Sequence, residues 1–119
     1  MDHLFVYGTL RRGSQNKFAR MLADGGRFLG SARVAGRLYD LGRYPGAVPS
    51  LEPDCWVDGE VWQLHDPRLL PLLDEYEGSE FERAIAPVQT ENAVIDCSLY
   101  WYVGLRTGRP IASGNWLKR

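Results

Sequence analysis

A chain of 119 residues has room for one domain built around one core. Its 14 Lys and Arg set against 15 Asp and Glu leave a formal charge of −1, with no basic run to bind nucleic acid or an anionic membrane. A hydrophobic content of 45% with four tryptophans points to a packed globular protein; with no apolar stretch near membrane-span length and no basic-then-apolar leader, a cytoplasmic protein is expected.

The first element is the unbroken apolar run Leu4-Phe5-Val6-Tyr7, too short for a helix and buried on both faces if it is a strand. It stops at Gly8, followed by Thr9, Leu10, Arg11, Arg12 and Gly13. Such a turn brings backbone N–H groups to a sheet edge, where an anion or an oxyanion can dock. The segment 8–14 comes close to a phosphate-binding loop, but Ser14 stands where that loop needs a lysine, so nucleotide binding is rejected. The plain alternative is a connecting turn with no ligand.

Ser14 is placed to cap a helix carrying Phe18, Met21 and Leu22 on one face and ending at Gly25-Gly26. Short β-like pieces follow at 28–29 and 34–41, then a Pro/Gly-rich loop over 44–49, expected to be irregular and to act as a rigid wall. Alternation predicts a strand over 56–64, with Gly59 marking a bulge or a close backbone approach. Asp66-Pro67 opens a helix over 65–77, Pro71 distorts its start, and Gly78 ends it. Strands over 85–88 and 94–103, joined by a turn at 89–92, and a compact tail at 111–116 complete the chain. Five to seven short strands with two short helices, not alternating regularly, predict a single α+β domain over 1–119 with a small mixed, barrel-like sheet.

Cys55, Cys97, His3 and His65 have no metal-ligand spacing, and buried structural cysteines are the plain reading; a Cys–His nucleophilic pair stays open but has no support in the spacing. Glu77 has an unusual position. At the C-terminal end of a helix, beside Asp74 and Glu75, a carboxylate is disfavoured and its pKa is pushed upward. That suits a general base, although Asp74-Glu75-Tyr76-Glu77 also reads as a solvated acidic face.

The chain resembles the γ-glutamylcyclotransferase-like family, in particular its small bacterial members. The matching segments are Phe5-Val6-Tyr7-Gly8-Thr9-Leu10-Arg11-Arg12-Gly13, Leu41-Gly42-Arg43-Tyr44-Pro45-Gly46-Ala47-Val48-Pro49 and Val57-Asp58-Gly59-Glu60-Val61-Trp62. Leu73-Asp74-Glu75-Tyr76-Glu77-Gly78, Tyr100-Trp101-Tyr102 and Ile111-Ala112-Ser113-Gly114-Asn115-Trp116 follow in the family's order. The resemblance implies a small β-barrel with flanking helices and a ligand cavity. It implies an intramolecular cyclisation of a γ-glutamyl amine to 5-oxoproline and a free amine, with Glu77 as general base and no metal or cofactor. Substrate contacts are expected from Tyr7, Gly8, Thr9, Leu10, Arg11, Tyr44 and Tyr102. The partner is a small γ-glutamyl molecule, and monomer is the default state. A non-catalytic metabolite-binding member of the fold is the alternative, with an amidohydrolase behind it. One departure is Phe81-Glu82-Arg83, where many members carry Tyr-x-Arg.

Overall fold

The computed structural model describes residues 2–8, 10–11, 16–105 and 108–119. Seven strands and two α-helices are present among them: β1 (His3–Val6), α1 (Lys17–Gly25), β2 (Gly26–Asp40), β3 (Pro45–Pro49), β4 (Trp56–Leu64), α2 (Leu69–Glu77), β5 (Phe81–Thr90), β6 (Val94–Tyr102) and β7 (Arg109–Pro110). The spatial order β2-β4-β1-β6-β5 returns to β2 through a further β2–β5 pairing, which closes a five-stranded barrel. Every pairing is antiparallel except β1 with β6, so the sheet is mixed as expected. β3 and β7 pair only with the outer end of β2.

Alternation along the strands divides the apolar residues between two cores. Phe5, Tyr7, Val57, Val61, Val88 and Leu99 belong to the core inside the barrel, together with Trp116 from the tail. Their neighbours Leu4, Val6, Trp62, Leu64 and Tyr100 belong to a second core with Leu22 of α1 and Leu69, Leu70 and Leu73 of α2. The unbroken apolar run at the N-terminus is thereby explained, since β1 is covered on both faces.

Several local expectations need correction. The cap of α1 is Asn16, whose side chain accepts from the N–H groups of Phe18 and Ala19; Ser14 lies outside the described residues. The pieces at 28–29 and 34–41 are parts of one 15-residue strand, β2, whose register shifts between Phe28 and Gly30. The Pro/Gly loop contains a regular strand, β3: its prolines fall at the two ends, Pro45 opposite Asp40 and Pro49 opposite Gly36, where a missing N–H is tolerated. Helix α2 begins four residues later than expected, because Asp66 first makes a turn in which it accepts from the N–H of Arg68. Pro71 therefore falls in the first helical turn, where its missing N–H breaks no intrahelical bond. The strand over 56–64 is found as expected, and Gly78 ends α2 at φ 77° with its N–H donated to the Asp74 carbonyl.

Gly59 marks a close approach. A Cβ there would run into the carbonyl oxygen of Val6 and come within 2.6 Å of the Phe5 ring. We expect Gly59→Ala to destabilise the protein by about 1–3 kcal/mol through overpacking, read as a lowered urea midpoint at unchanged m-value.

Candidate active site

The end of the barrel where β1 and β6 finish and β5 starts holds a cavity of about 220 Å³. The end of β1 and the segment beyond it contribute Phe5, Val6, Tyr7, Gly8 and Leu10 to the lining. The β2–β3 connection adds Tyr44 and Pro45, and the last turn of α2 adds Tyr76 and Glu77. Phe81 at the start of β5 and Tyr100 near the end of β6 complete the wall. Among the described lining residues, Glu77 is the only one that is charged at its ordinary pKa.

Burial pushes the Glu77 carboxyl up from 4.5 to about 7. The direction agrees with the sequence reading, but the cause is loss of water rather than crowding by other acids. Asp74, expected to repel Glu77, is engaged elsewhere. It accepts a hydrogen bond from the Tyr100 hydroxyl at 2.7 Å and pairs with Arg83 at 3.2 Å. The residue preceding Glu77 is fixed from α1: Asn16 donates its side-chain amide to the Tyr76 hydroxyl at 2.7 Å, and the Phe18 and Tyr76 rings lie 4.2 Å apart. One asparagine thus caps α1 and ties the cavity end of α2 to it. Its position directly before the helix was the available signal in the sequence.

Tyr7 serves the fold with its hydroxyl and the cavity with its ring. The buried hydroxyl donates to the Tyr100 carbonyl at 2.5 Å and accepts from the Ala47 N–H at 3.2 Å, so the end of β1 is bound to both β6 and β3. Burial holds the phenols of Tyr7 and Tyr100 above their ordinary pKa, so both remain donors at neutral pH. Gly8 allows the Pro45 ring to pack close: a Cβ at Gly8 would lie 2.8 Å from Pro45 Cγ.

The structure thus brings together Tyr7, Gly8, Leu10, Tyr44 and Glu77 of the expected site residues around one cavity. Thr9 lies outside the described residues. Arg11 and Tyr102 stand behind the wall rather than in it. The Arg11 guanidinium donates to Asn115 Oδ1 at 2.9 Å and lies 3.8 Å from the Glu60 carboxylate, which anchors the segment after Gly8 to the tail and to β4. The Tyr102 hydroxyl donates to the Leu105 carbonyl at 2.6 Å and lies 3.2 Å from Glu80, while its ring supports Phe81. Tyr100, two residues earlier on the same strand face, takes the position on the cavity. Tyr76 is not among the site residues expected from the sequence, and nothing in its spacing marks it as one.

The chain matches a family model described as "Gamma-glutamyl cyclotransferase, AIG2-like" over residues 4–118. It is 35% identical over 101 residues to the human gamma-glutamylaminecyclotransferase, covering 75% of this chain and 63% of the human one. The gamma-glutamylcyclotransferase family protein YtfP of Escherichia coli K12 is 35% identical over 122 residues, covering 98% of this chain and 96% of that protein. The crystal structure of an AIG2-like protein from Mus musculus superposes with a TM-score of 0.75 at 27% identity, over 88% of this chain and 80% of the mouse chain. The barrel, the two helices and the order of motifs therefore have one explanation: the chain belongs to the AIG2-like gamma-glutamyl cyclotransferase family.

Proposed function

We propose that this protein is a γ-glutamyl-amine cyclotransferase in which Glu77 is the general base. The observation that carries the reading is the Glu77 carboxyl itself, half-buried on the wall of a largely apolar cavity and pushed up to about 7 by loss of water. A γ-glutamyl α-amine is an ammonium near neutral pH and must lose a proton before it attacks. A base whose pKa lies near 7 matches that task better than an ordinary carboxylate does.

The reaction needs no protein nucleophile. Glu77 takes a proton from the ammonium, and the freed amine nitrogen forms a bond to the substrate's own γ-carbonyl carbon. The resulting tetrahedral centre carries an oxyanion, for which backbone N–H groups around Tyr7, Gly8 and Leu10 are the candidate donors. The C–N bond to the leaving amine then breaks as Glu77 returns the proton to that nitrogen; the ring nitrogen gives up its second proton to the departing amine, which leaves as an ammonium, and 5-oxoproline remains. Confining the glutamyl chain in a ring-closing conformation between the buried Pro45 and Tyr7 supplies the entropic advantage of an intramolecular reaction.

Glu77→Gln preserves shape and removes the base, so it is expected to lower 5-oxoproline release from γ-glutamyl amines by about 10²–10⁴-fold. The assay is a panel of γ-glutamyl amides with product detection by chromatography. Undiminished release would overturn the base assignment, and free glutamate as product would mean hydrolysis instead. Binding without any turnover would favour a metabolite-binding member of the fold.

The same carboxyl predicts two opposed pH dependences. Activity requires the ionised form, so kcat/KM should rise with pH through about 7. Stability should move the other way. The folded carboxyl holds its proton up to about 7 while the unfolded chain releases it near 4.5. The contribution is complete below about 4.5 and is lost as the pH approaches 7, amounting to about 3 kcal/mol. Denaturant titrations of wild type and Glu77→Gln across this window should show the slope reduced in the variant.

A further inference from the structure

The cavity is graded from a closed end to an open one. Phe5, Val6, Tyr7, Leu10, Pro45 and Tyr100 on its wall are buried. Tyr44 is 38% exposed, and Tyr76 and Phe81 are half-buried. The mouth is therefore built from three aromatic rings, each held by a neighbour outside the cavity or across it. Phe81 lies 5.9 Å from Tyr44 and 5.4 Å from Tyr102, centroid to centroid, and Tyr76 is held by Phe18 and Asn16. Rings already fixed by packing offer large apolar faces with little entropy left to lose on binding.

The charges of the lining are as informative as its rings. No Lys or Arg is among its described residues, so none of them offers a cation to a carboxylate on the leaving amine. Its one carboxyl, Glu77, is required at the two nitrogens that exchange a proton, and so is not available to pair with a distant second ammonium. Phe81 presents a ring without a hydroxyl, which withholds a hydrogen bond at the same point.

We infer that the leaving amine carries an uncharged hydrocarbon substituent, with aryl-alkyl amines favoured over amino acids and diamines. The inference rests on the cyclisation reading for the identity of the glutamyl end and on the three rings for the amine end. Burying such a substituent among Tyr44, Tyr76 and Phe81 gains apolar contact, whereas a carboxylate meets no cation among the described lining residues and an ammonium gains only the modest attraction of partly exposed ring faces.

The test compares γ-glutamyl-benzylamide, γ-glutamyl-glycine and mono-γ-glutamyl-1,4-diaminobutane in two separate readouts. Calorimetric binding to Glu77→Gln reads the mouth without turnover, and 5-oxoproline release by the native protein reads the chemistry. The benzylamide should bind about ten-fold tighter than either of the others. Tyr44→Ala and Phe81→Ala should each shrink that ratio by about three-fold, and Tyr44→Arg should move it toward the glycine conjugate. Tyr44 is exposed enough that its variants test the mouth even if Phe81→Ala fails to fold. Equal affinities, or a preference for glycine or the diamine, would overturn the inference. A benzylamide preference in binding with no 5-oxoproline from any conjugate would leave the mouth assignment standing and overturn the cyclisation reading.

Discussion

The fold depends on one strand that has to bend. β2 has 15 residues, which at ordinary strand rise would extend about 50 Å. The longest extent of the molecule is 34 Å, so β2 has to coil. Two glycines bracket the change of direction: Gly30, at φ 138°, follows the register shift, and Gly36 lies where pairing passes from β4 to β3. Because it bends, β2 pairs on both edges at two separate places. Residues 32–34 bridge β4 and β5, closing the barrel, and residues 39–40 bridge β3 and β7. The second set carries β3 past the barrel mouth and brings Tyr44 and Pro45 opposite Gly8. Without that overhang the cavity would have no wall on this side.

The location of Glu77 follows from the same closure. Helix α2 connects β4 to β5 and packs Leu69, Leu70 and Leu73 on the outer face of the barrel, so its last turn arrives where β5 begins. Gly78 stops the helix there, and Tyr76 is fastened to α1. A carboxyl at that point has lost much of its water, and the neighbouring acid, Asp74, already has Arg83 and Tyr100 as partners. Burial therefore acts on Glu77 with little to oppose it, which is how an ordinary glutamate comes to titrate near neutrality.

What the sequence made legible was local. The alternation in Trp56–Leu64 and the apolar run of β1 are strong period signals, and both strands were found. β2 read as two fragments because Gly30 and the polar residues after it look like a terminator, whereas in three dimensions Gly30 is a bend in a continuous ladder. β3 read as a loop because two prolines in six residues argue against a strand; only the pairing partner reveals that they sit at its ends. At the site, Glu77 could be singled out because an acid at a helix C-terminus conflicts with the helix dipole. The depth of its burial is a tertiary quantity that no local pattern carries. The same limit explains the tyrosines. Alternation put Tyr100 and Tyr102 on one strand face, but which of them reaches the cavity depends on how far along β6 the helix end falls.

These tyrosines also explain how a site whose described lining holds one carboxyl can be specific. The hydroxyls of Tyr7, Tyr100 and Tyr102 donate to the Tyr100 carbonyl, Asp74 and the Leu105 carbonyl, so each is used to hold an element in place. Their rings are left to shape the space. The intramolecular reaction proposed for this site asks for such a division of labour. Its attacking and leaving nitrogens belong to the same substrate, so the protein need supply one proton acceptor and a rigid enclosure. The cost falls on stability, because an acid left unpartnered in an apolar wall opposes folding once it ionises. A protein that replaced it with an apolar residue would be more stable at neutral pH and would have lost the proposed base.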